Sequence, residues 1–249
     1  MEKENILKNS QIIILGLCIA GATIGSSVIL SKGLMKIKKM TTEMIEVTGS
    51  AERKILSDEI VWSGGFSRRA ADLKTAYGLL KSDLEVVKKY LINKGVQDSE
   101  ITVEQAVTKI LDRKNEKGND TNDIEAYLVS QNVDVKSGEV ERVANLSRNS
   151  TELIDQGIEF ISYAPEFLYT KLAELKHELL AEATQDAKQR AERMLAATGN
   201  KVGSMRSAQS GIFQITPENS TEVSDWGSND TSAMRKKVTA VVHVNFSIV

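Results

Sequence analysis

The chain has 249 residues, 41% apolar and 27% charged, which excludes a disordered tail and leaves room for one or two ordinary folded domains. Its net charge of −2 hides a division: residues 1–40 hold six lysines and two glutamates, net +4, and the rest holds 26 basic against 32 acidic side chains, net −6. An acidic body without a Lys/Arg cluster repels phosphate backbones and argues against a nucleic-acid partner; the single cysteine, Cys18, excludes a disulfide framework and a thiolate metal site.

The first element is residues 12–30, IIILGLCIAGATIGSSVIL, without a charge. As a helix it spans about 28 Å, close to the ~30 Å hydrocarbon core of a bilayer. Lys8 precedes it, and Lys32, Lys36, Lys38 and Lys39 follow, flanks that suit lipid headgroups better than a protein interior. No small-x-small cleavage site follows, and Leu17 before Cys18 does not suit a lipoprotein, so an uncleaved anchor is favoured over a signal peptide. The expected organisation is a short tail (1–11), a transmembrane anchor (12–30), a basic linker (31–42) and a folded body (43–249). Lysines near the span, four after and two before, place the body in the cytoplasm.

Residues 44–56 and 58–68 mix β-branched and polar residues at short range and read as two strands joined at Ser57-Asp58. From 70 to 93 the period becomes helical, with Leu73, Tyr77, Leu80, Leu84, Val87 and Leu91 on one stripe and Gly95 placed for a left-handed cap. Strands are predicted at 101–111 and 124–135, forming a hairpin with a long polar tip. A helix over 138–157 turns Val143, Leu146, Leu153 and Ile154 inward, and a short strand covers 158–163. The clearest helix runs over 166–198 and ends at Gly199; Leu172, Leu175, Leu179, Ala183, Ala187 and Ala191 form a stripe whose small residues allow close backbone approach. A strand over 202–215, a polar loop over 216–235 and a last strand over 237–249 complete the chain; in that strand Val238, Ala240, Val242, Val244, Phe246 and Ile248 share one face. The order ββα, ββα, βα, ββ predicts an α+β fold, antiparallel sheets with helices packed on one face, behind one N-terminal transmembrane helix.

Several of these segments together resemble the SIMPL (DUF541) family. They are Val47-Thr48-Gly49-Ser50-Ala51-Glu52 in the first strand, Lys94-Gly95-Val96 with Ser99-Glu100-Ile101, and the helix segment from Ala183 to Glu192 with Asp186-Ala187 and Ala191-Glu192. Gly199 with Val202-Gly203 and the closing valine strand complete the match. Ser50 stands near where a second glycine is common, and residues 151–169 are more polar than the pattern. The resemblance implies an exported or envelope-associated bacterial protein, so a body outside the cytoplasm, against the lysine count. It also implies a homo-oligomer, since some relatives assemble into rings; a eukaryotic relative is a signalling adaptor. It supplies no catalytic motif.

Glu174, Glu178, Glu182 and Asp186 stand at successive i+4 positions, four carboxylates on one helix face. Such spacing can bind a divalent cation or a basic partner, but more simply makes a solvated face moderated by Lys171, Lys188 and Arg190. Ser63-Gly64-Gly65 before Arg68 and Arg69 could hold an anion; it lacks the P-loop Lys-Ser/Thr, and a strand bulge is the plainer account. His177 and His243 lie in different elements and read as structural or surface residues. Trp226, in the polar loop, either folds back on the body or docks on a partner. The resulting expectation is a non-enzymatic, membrane-anchored domain without catalytic residues, metal or cofactor, acting by oligomeric assembly or protein interaction. The alternative is a ligand- or divalent-metal-binding domain using the acidic helix face or the Gly64-Gly65 turn.

Overall fold

The computed structural model describes residues 15–36 and 43–249 in full and residues 2–14 and 37–42 as helical backbone only. The side chains of Lys8, Lys38 and Lys39 therefore lie outside the described residues. Helix α1 (Glu2–Thr42) runs through the expected tail, anchor and linker without a break. Within it Leu15–Lys36 has a mean hydropathy of 1.5, long and apolar enough to cross a membrane, and none of it is buried in the protein; a signal sequence meets the same criterion.

The elements that follow are β1 (Met44–Leu56), β2 (Glu59–Ala70), α2 (Leu73–Asn93), β3 (Ile101–Val103), β4 (Val107–Lys114) and β5 (Asp120–Ser137). Then come α3 (Val140–Asn149), α4 (Glu152–Asp155), β6 (Glu159–Ser162), β7 (Glu166–Leu168) and α5 (Leu172–Ala196). The chain closes with β8 (Val202–Ser210), β9 (Gln214–Pro217), β10 (Ser228–Asn229) and β11 (Arg235–Ile248). The class is the expected one: mixed α+β with antiparallel sheets, helices and an N-terminal apolar helix. The chain divides into two compact units, one of Ala51–Ala181 and Ile212–Ala240, the other of Met1–Ser50, Glu182–Gly211 and Val241–Val249.

In the larger unit β2 is the central strand. It pairs with β5 on one side and with β6 and β7 on the other, all antiparallel, and β5 carries β3 and β4 on its far edge. Helices α2 and α3 both pack on β2 and β5. Between them lies the core: Ile60, Trp62 and Phe66 from β2, Val129, Val133 and Val135 from β5, Leu80, Val87 and Leu91 from α2, and Val143 and Leu146 from α3. Asp72 starts α2 by accepting the Thr75 N–H at 2.9 Å, and Gly95 ends it at φ +91°, where a Cβ is costly.

In the smaller unit the second half of β11 pairs antiparallel with β8, and Val242, Val244 and Phe246 are buried along one face of the strand. The last turns of α5 bury Ala183, Ala187 and Ala191 completely, so the alanine stripe is a packing face as its spacing predicts, and Gly199 ends the helix exit at φ +77°.

Several boundaries differ from expectation. The helix expected over 138–157 breaks at Ser150, which is fully buried and turns its hydroxyl back to the Ser147 carbonyl at 2.9 Å. Beyond the break Ile154 faces solvent instead of the core, 52% exposed. The strand expected at 101–111 splits: Glu104 N–H still bonds the Asn132 carbonyl of β5, but the Gln131 side-chain amide takes the Glu104 carbonyl at 2.8 Å, and pairing resumes one residue out of register at Val107 and Ser130. Residues 166–168 form β7 against Glu59, Ile60 and Val61 and delay the long helix to Leu172. The strand expected at 202–215 is two strands, β8 and β9.

Candidate functional site

Glycines 64 and 65 occupy the middle of β2. Gly64 faces Val133 and Ser162 on its two neighbours, and Gly65 faces Asn132 and Ile161, with no shift of register in either ladder. They form neither a turn nor a bulge, which corrects both readings of this segment. The physical reason is space: a Cβ on Gly64 would sit 2.3 Å from the Phe160 ring, which lies across the glycine and 6.2 Å from Trp62, centroid to centroid. The arginines that followed them are already engaged. Arg68 grips the buried carboxylate of Asp83 through Nε and Nη2 and also bonds the Gly157 carbonyl at 2.8 Å, and Arg69 pairs with Glu125. The Asp83 hydrogen bond, against the opposing cost of burial, holds Arg68 above its ordinary pKa. Asp83 lies three residues after Leu80 and four before Val87, so helical spacing places it on the inward face beside them.

The four carboxylates of α5 meet different surroundings. In the larger unit Glu178 lies 3.5 Å from Arg53, and Glu174 lines a cleft of about 410 Å³ with Arg53, Lys54, Lys171 and Glu178. In the smaller unit Glu182 is exposed, and Asp186 accepts the Ser50 N–H at 2.9 Å and the Arg190 guanidinium at 2.8 Å. The Ser50 bond, opposed by burial and aided by Arg190, lowers the Asp186 pKa below its usual value. Among the described residues no three His, Cys, Asp or Glu side chains are grouped to hold a metal ion. His177 is exposed, and His243 Nδ1 lies 3.0 Å from the Thr48 hydroxyl.

Lys236 is the site residue that sequence reading passed over. It is 3% exposed, and its ammonium donates to the carbonyls of Phe167 and Asp230. Burial lowers its pKa, with Asp230 and Glu166 pulling the other way. Burial pushes Asp230 up, but hydrogen bonds from the Ser232 hydroxyl and the Ala233 and Ser232 main chain outweigh it and leave the carboxyl low. Beside Lys236 lies a cleft of about 260 Å³ lined also by Glu59, Tyr169, Thr170, Asn229 and Thr231. The signal was present: Lys236 has the same parity as Val238 and Ala240, so the alternation of β11 carries it onto the buried face. Its geometry is that of a clasp, tying the β7 segment and residues 230–231 to the start of β11.

In the smaller unit the segments that carried the family resemblance come together. A Cβ on Gly49 would stand 2.1 Å from the Ala183 carbonyl oxygen and 2.5 Å from the Ala187 nitrogen, so β1 lies directly on the helix backbone, and Ser50 beside it bonds Asp186. A family model described as SIMPL, a protein of unknown function (DUF541), matches residues 45–246. The chain belongs to the SIMPL family. No curated protein matches it significantly. In this SIMPL domain the glycine of the first strand and the alanines of the long helix are one packing device, since neither element admits the other without them.

Trp226 is 92% exposed, which excludes folding back on the body. Its turn is nonetheless tied down. Gln214 bonds Ser224 from both ends of its amide, at 2.6 and 3.3 Å, the Ser224 hydroxyl accepts the Trp226 N–H at 3.3 Å, and Gly227 takes φ +86°. Ser228 and Asn229 then run parallel to Gln214 and Ile215. Val223, in the same loop, is 81% exposed.

Proposed function

We propose that this SIMPL domain is a non-catalytic interaction module, tethered to the membrane by its N-terminal helix with the body on the extracytoplasmic side, and that it works by assembling with copies of itself or with a protein partner. The observation that carries the reading is the Trp226 turn. A turn whose main chain is already fixed by hydrogen bonds spares a partner the cost of ordering the loop, and an exposed tryptophan is the kind of side chain that anchors interfaces. Glu174 in the larger unit and Glu182 in the smaller are exposed, and each offers its own unit a carboxylate for a basic partner on the same reading.

The test is light scattering of the full chain in detergent micelles, wild type against Trp226→Ala. Assembly that dissociates at least about tenfold more readily in the variant, with unchanged far-UV circular dichroism, supports the reading. A wild-type chain that stays monomeric at high concentration, with no protein captured by in-membrane cross-linking, overturns it. A compartment-sensitive reporter fused after Val249 tests the orientation, and a cytoplasmic signal refutes it.

A further inference from the structure

We propose that the outer edge of β6, with the groove along it, binds an extended peptide segment of another protein as an added strand. The proposal rests on the interaction reading above and names a second site for it, in the larger unit.

The backbone geometry points there first. Tyr163 N–H donates to the Ser63 carbonyl at 3.0 Å, so these two residues form a hydrogen-bonded antiparallel pair. Alternation makes Gly65 with Ile161 and Ser67 with Glu159 the next such pairs along the ladder. The N–H and C=O of Phe160 and Ser162 must then point away from β2. Ile158 N–H, next in that outward series, is taken by the Leu153 carbonyl at 3.2 Å. Among the described residues no strand lies on that side of β6, and nothing bonds the outward main-chain groups of Phe160 and Ser162.

Open edges invite pairing unless charged side chains guard them. Strand β4 carries Lys109, Asp112, Arg113 and Lys114, and β1 carries Glu52, Arg53 and Lys54. Strand β6 carries Glu159 alone, β8 Arg206 alone and β3 no charge, so charge does not choose between these edges and the groove beside β6 does. That groove, of about 420 Å³, is lined by Ser67, Ile154, Ile158, Phe160 and Ile161 among others. Ile154 and Ile161 are 52% and 59% exposed, unusual for isoleucines beside an unpaired edge. Main-chain groups for affinity and apolar ground for alternate side chains are the two parts of strand addition.

Length and charge choose the occupant. Four residues extend roughly 13 Å at about 3.3 Å each. Two copies of this chain paired along so short an edge would bury far less than the ~1,200 Å² of a stable dimer. A single extended segment needs no more than the groove provides. Glu159 lines it, Asp155 directly follows the lining residue Ile154, and Glu152 nearby is engaged by Lys94 at 2.7 Å. The partner segment is therefore apolar and β-branched with a flanking Lys or Arg.

The probe is a fluorescein-labelled eight-residue peptide, lysine at each end of alternating valine and threonine, titrated into the full chain in micelles and followed by anisotropy. Two further peptides carry N-methyl groups on odd or on even residues. Strand addition predicts saturable binding to the parent peptide. One methylated series should lose about tenfold or more, as expected for removing one or two main-chain hydrogen bonds, and the other should keep its affinity. Ile154→Lys and Ile161→Lys, both at exposed positions, should weaken binding by a similar factor with unchanged circular dichroism. Absence of binding up to about 1 mM, or an equal response to both methylated series, overturns the proposal. So does an Ile161→Lys chain that binds peptide normally but no longer self-assembles, since a second copy would then own the edge. Failure of peptide binding with Trp226-dependent assembly intact would remove this site and leave the broader reading standing.

Discussion

Replacing Gly49 with alanine probes the tightest contact in the smaller unit. The new methyl carbon would lie 2.1 Å from the Ala183 carbonyl oxygen, 2.5 Å from the Ala187 nitrogen and 2.7 Å from the Ala187 Cβ. Two of these atoms are backbone, so no rotamer change relieves the overlap, and strand and helix must separate by about 1 Å. A buried methyl returns at most ~0.8 kcal/mol. Overpacking a close-fitted interface costs about 1–3 kcal/mol. The displacement also stretches the 2.9 Å bond from Ser50 N–H to Asp186, a charge-assisted bond of the kind that contributes about 1.5–3 kcal/mol. A net loss of about 3 kcal/mol follows, or a Tm lower by roughly 6–12 °C for a protein of this size. The assay is thermal unfolding of the full chain by far-UV circular dichroism. Gly78→Ala is the control: this glycine sits on the exposed face of α2 with no atom within 4 Å of an added Cβ, so alanine should stabilise by about 0.5–1 kcal/mol. If Gly49→Ala costs less than about 1 kcal/mol while the control behaves, the account of the strand-on-helix packing is wrong.

Two further outcomes are expected. Lys236→Met leaves the Phe167 and Asp230 carbonyls without their donor and should cost about 2 kcal/mol in urea unfolding at neutral pH. Burial places the folded-state pKa of Lys236 below the ordinary 10.5, so between the two values the unfolded chain binds more protons and wild-type stability rises with pH. The variant lacks that rise, and the gap between the two should widen toward pH 10.5; a gap that narrows refutes the clasp. Asp186→Ala should cost about 1.5 kcal/mol at neutral pH, the low end of the charge-assisted range because the carboxylate is a third exposed. Its folded pKa is depressed below the ordinary 3.8, so this contribution is present above that value and is lost as pH falls through the folded pKa. Urea titrations that show a pH-independent difference count against it.

Much of this architecture was legible along the chain because each element writes its own period. Residues 44–56 are β1 to the residue, and the alternation from Val238 to Phe246 is the buried face of β11. The Leu175–Ala191 stripe is the buried face of α5, and Gly95 and Gly199 take the positive φ that their positions after a helix require. These features depend on residues one to four positions apart, where side-chain spacing and backbone sterics are local. Tertiary structure decided the rest. Ile154 sits at helical spacing from Val143 and Leu146, yet the chain breaks at Ser150 and turns it to water. Gly64-Gly65 reads as a strand bulge or an anion-holding turn until Phe160, nearly a hundred residues on, is laid across it. Lys236 carries the parity of a core residue, but only the carbonyls of Phe167 and Asp230 supply what a buried ammonium needs. A sequence states which face of an element is apolar; whether a polar group can leave water depends on partners that the folded chain alone brings within reach.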